Sequence, residues 1–171
     1  LGLTYETNPP YHIIKTESFS QNELNIAEIY AKTCSLFYNE GRAVPWFNTI
    51  CHCLKIKPSA LFKKFYDKHK NLIERFDCTA LDKMSHKKIE ELQLDFVVEQ
   101  LKQKKLDRYT KLATDLIKLN GAYSRKIAEG KHHITEKINL NYPIEFLDSP
   151  YSSNMEFFIK NVKPKNSTIR I

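Results

Sequence analysis

Apolar residues recur at helical spacing through most of the chain, and the first helix has the clearest start. In "FSQNEL", Ser20 is an N-cap and Glu23 follows three residues later, which is the pattern of a capping box. Phe19 and Leu24 flank the cap as a hydrophobic staple. The stripe that follows predicts a helix buried on two sides. Its residues are Leu24, Ala27, Ala31, Cys34 and Tyr38, widened by Ile26, Tyr30 and Phe37.

Four further helices are predicted before Gly130. Their sequences are "PWFNTICHCLK", "PSALFKKFYDKHK", "SHKKIEELQLDFVVEQLKQKK" and "LDRYTKLATDLIKL". Pro45 and Pro58 are placed to open the first two, because proline is favoured in the first helical turn. The "NG" at 120–121 either ends or dents the last helix, and Gly130 stops whatever follows.

Both ends of the chain predict extended structure. Residues 1–18 form an extended lead-in, because the prolines of "NPPY" block a helix, and "YHIIKT" suits a short strand. After Gly130, "ITEKINLNY" alternates in part, and "MEFFIKNV" and "STIRI" are also β-like. The sequence therefore predicts a mainly α fold. It is an irregular bundle of about five or six helices over residues 19–130, with a short C-terminal β segment over 131–171 packed on the helices.

The stretch "FYNEGRAVPWF" joins the first two predicted helices and holds the single Trp of the chain. Gly41 is expected to end the first helix with a positive φ. Arg42 is expected to bond the last helical carbonyls and to stack on Trp46. By residue type alone, the stretch is more typical of a structural corner than of a site. The corner residues are Phe37, Gly41, Pro45 and Phe47.

The composition limits the classes of function and partner that suit the chain. The length of 171 residues suits one domain, and 42% hydrophobic with 27% charged residues argues against disorder. The net charge of +7 is typical of nucleic-acid or anionic-membrane partners, but 22 of the 27 basic residues are Lys and acids are interspersed among them. Recognition of phosphates and bases favours Arg. A nucleic-acid partner is therefore disfavoured. A basic helical nucleic-acid-binding module and a scaffold domain without a ligand remain the alternatives.

The chain has no apolar run of the roughly eighteen residues that span a membrane, so no membrane partner is expected. Its four Cys lack a secretory context, which favours reduced thiols and a cytoplasmic location. The sequence begins with Leu1 and not with Met, which suggests a domain cut from a longer chain.

No residue pattern predicts a catalytic or metal site. Cys51 and Cys53 lie two residues apart on a predicted helix, so their sulfurs point away from each other. His132 and His133 lie on a predicted loop, where histidines without a carboxylate partner are usually solvated, and His69 lies in a Lys-rich helix; none of them is predicted to be a ligand or a catalytic residue. The chain lacks a phosphate-binding glycine loop, a nucleophile elbow and an HExxH motif.

The segments "LGLTYETNPPYHIIKT" and "LFYNEGRAVPWF" resemble the C-terminal domain, of unknown function, of bacterial cobalamin-binding-domain radical SAM proteins (Fe–S oxidoreductases). In that family the end of the barrel runs into an "lGlxY…PPY" segment, and a helix then closes with "fYNxGR". The resemblance covers residues 1 to about 66 well and the rest loosely. The matching residues are Leu1, Gly2, Leu3, Tyr5, Pro9, Pro10, Tyr11, Phe37, Tyr38, Asn39, Gly41 and Arg42.

The resemblance implies an upstream radical SAM barrel and cobalamin-binding domain in the same chain, as the partners of this domain. Their 4Fe–4S cluster, S-adenosylmethionine and cobalamin would be bound there, because the family's CxxxCxxC motif is missing here. This chain would be an accessory domain that covers the substrate cleft and is not catalytic alone. The implied substrate or domain-interface residues are Tyr38, Asn39, Arg42 and Trp46, with Arg42 holding an anionic group of the substrate or a carboxylate of the barrel.

Overall fold

The computed structural model describes residues 2, 4–5, 7, 13–75, 84–130 and 135–171. The predicted mainly α fold is confirmed, and five long helices form the body of the described part. They are α1 (Gln21–Cys34), α2 (Val44–Leu54), α3 (Pro58–Glu74), α4 (His86–Gln103) and α5 (Thr110–Ala128), followed by the short helices α6 (Ile144–Leu147) and α7 (Met155–Asn161).

Two small antiparallel pairs of strands complete the described fold. Near the N-terminus, β1 (Thr4–Tyr5) pairs with β2 (Ile13–Lys15). Near the C-terminus, β3 (Lys137–Leu140) pairs with β4 (Ser167–Arg170), with Ile138 opposite Ile169. The predicted C-terminal β segment is therefore confirmed.

The strand predicted for "MEFFIKNV" is wrong, because this segment is helix α7. Its buried residues Met155, Phe158 and Val162 lie three and four positions apart, which is helical spacing. The Asn154 side chain caps the helix by accepting a hydrogen bond from the Phe157 N–H at 3.0 Å.

Helix α1 begins where the sequence predicts. The Glu23 N–H donates to Ser20 Oγ at 3.3 Å, and the Ser20 N–H donates to Glu23 Oε2 at 2.8 Å, which completes the capping box. The predicted burial on two sides is wrong. Helix α1 packs against α3, but Ile26 and Tyr30 are exposed.

The core forms where the corner meets the helices. The Phe37 ring lies edge-on to Phe65 with centroids 4.6 Å apart, and to Phe96 with centroids 5.9 Å apart. Both partners are fully buried. Edge-to-face aromatic pairs add stability beyond the apolar area they bury. The corner residue Phe37 therefore holds α3 and α4 together.

Helix α5 runs through the "NG" at 120–121 without a break. The Asn120 side chain donates to the Leu116 carbonyl at 2.8 Å, and Gly121 is buried against α4. The helix ends at Ala128, and Gly130 takes a φ of +63° just beyond it, as its predicted role as a stop requires.

Candidate functional site

The corner after α1 is a π-helix that spans Ser35–Glu40. The Gly41 N–H donates to the Leu36 carbonyl, five residues earlier, at 3.0 Å. The expected positive φ at Gly41 is wrong: Gly41 has a φ of −76°, and the left-handed residue is Arg42 with a φ of 49°. Gly41 is needed for space, because a Cβ there would overlap the Phe37 carbonyl oxygen and the side chain of Gln93.

The predicted site residues of this stretch do not share one surface. Trp46 is 2% exposed and packs edge-on against Phe37 with ring centroids 5.8 Å apart. Trp46 is therefore a core residue, and its expected place on a contact surface is corrected. Tyr38 is half-buried against Phe47 with ring centroids 5.0 Å apart, while Asn39 is exposed. Pro45 lies in the first turn of α2, as predicted.

Arg42 points to α5. Its Nη1 donates to Ser124 Oγ at 3.3 Å, and its Nη2 lies 3.4 Å from Glu129 Oε1. The expected bond to a last carbonyl of the helix is made by the backbone, since the Arg42 N–H donates to the Asn39 carbonyl at 3.1 Å. The guanidinium instead contacts Ser124 and Glu129, so the expected stacking on Trp46 is wrong. The carboxylate that Arg42 contacts belongs to this same chain.

Polar side chains of α4 donate hydrogen bonds to the backbone carbonyls of the corner. Gln93 Nε2 donates to the Phe37 carbonyl at 2.7 Å and to the Gly41 carbonyl at 2.9 Å. His86 Nε2 lies 3.3 Å from the same Gly41 carbonyl and donates to it. A buried carbonyl without a donor would destabilise the fold, so these side chains stabilise the irregular backbone of the π-helix.

His86 also belongs to a partly buried ionic cluster, in which Glu90 and Arg125 are buried and Lys87 is exposed. Arg125 Nη1 donates to His86 Nδ1 at 3.0 Å and to Glu90 Oε2 at 2.5 Å. Arg125 Nε and Nη2 donate to the two carboxylate oxygens of Glu136 at 2.9 and 2.7 Å. Lys87 Nζ lies 3.2 Å from Glu90 and 2.8 Å from Glu136. We call this set the corner network: His86, Lys87, Glu90, Gln93, Arg125 and Glu136.

The corner network keeps His86 neutral. Burial lowers the pKa of His86, and the charges of Arg42 and Arg125 lower it further, against the opposite effect of the Gly41 carbonyl and Glu90. Because Nε2 donates and Nδ1 accepts, the imidazole has its proton on Nε2. Burial alone would raise the pKa of Glu136, but hydrogen bonds from Arg125 and Lys87 outweigh it and lower that pKa.

The arrangement is suited to holding the corner and not to proton transfer. Both ring nitrogens of His86 are occupied, and the carboxylates of Glu90 and Glu136 are paired with cations. A general base needs a free lone pair within reach of its substrate. In the described part of the chain, the corner network therefore has a structural role.

A second buried carboxylate fastens the end of β3. Asp115 on α5 accepts hydrogen bonds from the backbone N–H groups of Asn141 at 2.7 Å and Tyr142 at 2.9 Å. It also accepts one from the Asn141 side chain at 2.8 Å. Burial raises the pKa of Asp115, although these hydrogen bonds act against the shift. All of these contacts are internal, so Asp115 joins β3 to α5.

The corner network was not predicted from the sequence. His86, Gln93 and Gln100 lie at seven-residue intervals on α4, with Glu90 on the same side, and all four are buried. A polar stripe at this spacing is ordinarily the solvent face of a helix. The available signal was that Ile89, Phe96 and Val97 on the neighbouring face make α4 a central helix.

The described Cys51 and Cys53 carry neutral thiols. Burial raises the pKa of each to about 11, so both are protonated at neutral pH. No three His, Cys, Asp or Glu side chains of the described residues are placed to hold a metal ion. Cys78, His132 and His133 lie outside the described residues.

His69 is half-buried. It lies at a kink of α3, with its ring 4.6 Å from that of Phe65, and its buried Nε2 has no partner among the described residues. Burial lowers its pKa. Of the helices that the structure describes, none is long and apolar enough to cross a membrane.

Comparisons with protein-family models, with curated proteins and with solved structures gave no match to this chain.

Proposed function

We propose that the chain is an accessory, non-catalytic domain that docks on the barrel of a cobalamin-dependent radical SAM enzyme. Two observations support this function. The first is the resemblance of the N-terminal third, although Leu1, Leu3 and residues 8–12 of its motif lie outside the described residues. The second carries the proposal: an uncovered apolar surface on β2 and α1.

This surface, which we call the α1 face, is unusually apolar for the outside of a protein. Because β2 packs beside α1, the exposed apolar residues of these elements lie in one region of the molecule. Single exposed apolar residues need no explanation, but a concentration within residues 13–30 is typical of a protein interface. The α1 face consists of Ile13 (51% exposed), Ile14 (36%), Phe19 (51%), Ile26 (45%) and Tyr30 (37%).

The resemblance gives the interface role to the corner, but we assign this role to the α1 face. Trp46 is buried and Arg42 already has a carboxylate partner in Glu129. In the proposed enzyme, the corner shapes the domain and the α1 face contacts the barrel. A domain placed over the cleft would exclude water from reactive intermediates. The 4Fe–4S cluster, S-adenosylmethionine and cobalamin would supply the radical chemistry from the upstream domains.

The docking can be tested with two pieces of the parent chain. The first is this 171-residue chain, and the second is the upstream barrel with its cobalamin-binding domain. We expect titration calorimetry to detect association, and Ile26→Ser to weaken it by about tenfold or more, because burying an Ile side chain stabilises by about 1.5–3 kcal/mol. Ile127→Ser is the matched control, because Ile127 is 76% exposed on α5, away from the α1 face.

Three results would contradict the proposal. They are an open reading frame without an upstream CxxxCxxC motif, no association between the two pieces, and an equal loss of affinity in Ile26→Ser and Ile127→Ser.

The nucleic-acid alternative is the weaker proposal, because acids neutralise many of the lysines. Lys68 contacts Asp95 at 2.6 Å and Glu99 at 2.5 Å, and Lys160 contacts Glu156 at 2.9 Å. We expect no binding of duplex DNA or RNA tighter than the roughly 10⁻⁴ to 10⁻⁶ M of non-specific binders at physiological salt. Sub-micromolar binding with a steep salt dependence would favour the alternative.

A further inference from the structure

A cleft of about 300 Å³ shares no residue with the corner network. It is bounded by the end of α2, the 3₁₀ turn Asp107–Tyr109 and the start of α7. Its buried and half-buried wall is mainly apolar, from Cys53, Leu106, Tyr109 and Met155, with Thr49 as a polar exception. Its exposed rim carries charge. The charged and titratable residues of the rim are His52, Lys55, Arg108 and Glu156.

Arg108 is held in place at this rim. Its Nη2 donates to Tyr109 Oη at 2.8 Å, and its guanidinium carbon lies 4.8 Å from the centroid of the Tyr109 ring. Tyr109 is buried, so it gives Arg108 a fixed support. Of the five N–H donors of a guanidinium, this contact uses one. A cation fixed in advance loses less conformational entropy when it binds an anion.

The positive charge of the cleft has little internal compensation. Within the described ranges, neither Arg108 nor Lys55 forms an ion pair. The one carboxylate at the rim, Glu156, is paired with Lys160 at 2.9 Å. A hydrogen bond from Lys160 lowers the pKa of Glu156, and the charges of Arg108 and Lys55 lower it further. Both cations are therefore close enough to the Glu156 carboxylate to affect it.

The wall of the cleft is a poor environment for charge. Burial raises the pKa of Cys53 to about 11, even though the nearby charge of Arg108 acts against the shift. The Cys53 thiol is therefore neutral and contributes an apolar surface. An apolar wall below a rim with free cationic donors is the arrangement found in sites for organic anions.

We propose that this cleft binds a small organic anion with one carboxylate or phosphate group. Arg108 and Lys55 bind the oxygens of that group, and an apolar body about the size of one aromatic ring packs on Leu106 and Met155. The volume is at the lower end of the range for ligand sites, which limits the body to this size. This site does not depend on the proposed docking function, because it shares no residue with the α1 face.

The proposal is tested by titrating the ¹⁵N-labelled chain with benzoate and with phenyl phosphate, followed by NMR chemical shifts. We expect saturable shifts at backbone amides around Lys55, Arg108 and Asn154, with dissociation constants in the millimolar range. The probe that binds more tightly shows whether the cleft prefers a carboxylate or a phosphate group. Inorganic phosphate lacks the apolar ring and benzyl alcohol lacks the anionic group, so both should bind more weakly.

Variants separate specific binding from general charge attraction. We expect Arg108→Gln to weaken binding of the better probe by about tenfold or more, and Arg108→Lys to restore part of it. Lys55→Gln gives a second test that leaves the contact between Arg108 and Tyr109 intact. Arg170→Gln, an exposed Arg on β4, is the control and should not change binding. Shifts that do not saturate, or equal binding by Arg108→Gln and the unmodified chain, would overturn the proposal.

Discussion

Replacement of Gly121 by Ala tests the corner network most sharply. In an ordinary helix interior this change stabilises by about 0.5–1 kcal/mol, because Gly loses more backbone entropy on folding. Gly121 lies inside α5, where a methyl group would overlap the carboxylate of Glu90 and come within 3.2 Å of Arg125 Nη1. Glu90 is 2% exposed, so its carboxylate cannot move into water without rearranging the helices.

The expected size of the effect follows from the ion pair that must break. Separating a buried pair costs about 3–5 kcal/mol. We take the lower end, about 3 kcal/mol, because Arg125 keeps its contacts with Glu136. Subtracting the gain in helix propensity, about 1 kcal/mol, leaves a net loss of about 2 kcal/mol. For a domain of this size, the Tm should fall by roughly 4–8 °C.

Denaturant and thermal melts of four proteins form the assay. They are the unmodified chain, Gly121→Ala, Glu90→Ala and the double variant. Without the Glu90 carboxylate the methyl group has room, so Gly121→Ala should be neutral or stabilising in that background. A Gly121→Ala protein as stable as the unmodified chain would refute the reasoning, and so would an equal loss in both backgrounds.

Three further predictions concern the first helix and the corner. Ser20→Ala should lower the free energy of unfolding by about 1 kcal/mol, because the cap of α1 is lost. Gly41→Ala should lower it by about 2 kcal/mol, because the methyl group would overlap the Phe37 carbonyl, and urea melts measure both losses. Stability should also fall as the pH falls below 6.5. His86 has a lowered pKa in the folded chain, so the unfolded chain binds more protons there.

Each of these predictions has a control. Ser18→Ala changes an exposed Ser outside the cap, and an equal loss in both serine variants would mean that the cap is unimportant. Gly41→Ala at full stability would show that the π-helix adapts to a side chain. His86→Gln can still donate to the Gly41 carbonyl but does not titrate. If melts of His86→Gln between about pH 5 and 7 show the same slope as the unmodified chain, His86 is not the group responsible.

The start of α1 could be predicted because a cap is local. Ser20 and Glu23 are three residues apart, and their reciprocal hydrogen bonds need no other part of the chain. The faces of the same helix could not be predicted in this way. Ile26 and Tyr30 have the spacing of core residues, but burial depends on which element packs there, and α3 covers only one side.

The corner shows the same division. The sequence predicts that Pro45 opens α2, which is confirmed, and that Phe47 fills the corner, where the structure buries it against Tyr38. The contacts of Arg42 depend on Ser124 and Glu129, more than eighty residues away, so no local pattern could predict them. The buried polar residues of α4 were hidden for a related reason, because polarity at helical spacing does not by itself reveal a buried partner such as Arg125.

The π-helix at Ser35–Glu40 has a consequence for how sequences related to this one can vary in length. Deleting one residue there would restore the regular bonding between residues four apart and turn everything downstream by about 100° around the helix axis. The backbone could then satisfy the Phe37 carbonyl, and the amide of Gln93 would lose one of its two acceptors. Homologues one residue shorter in this segment should therefore also have replaced the residue equivalent to Gln93, so deletion and substitution should have been inherited together.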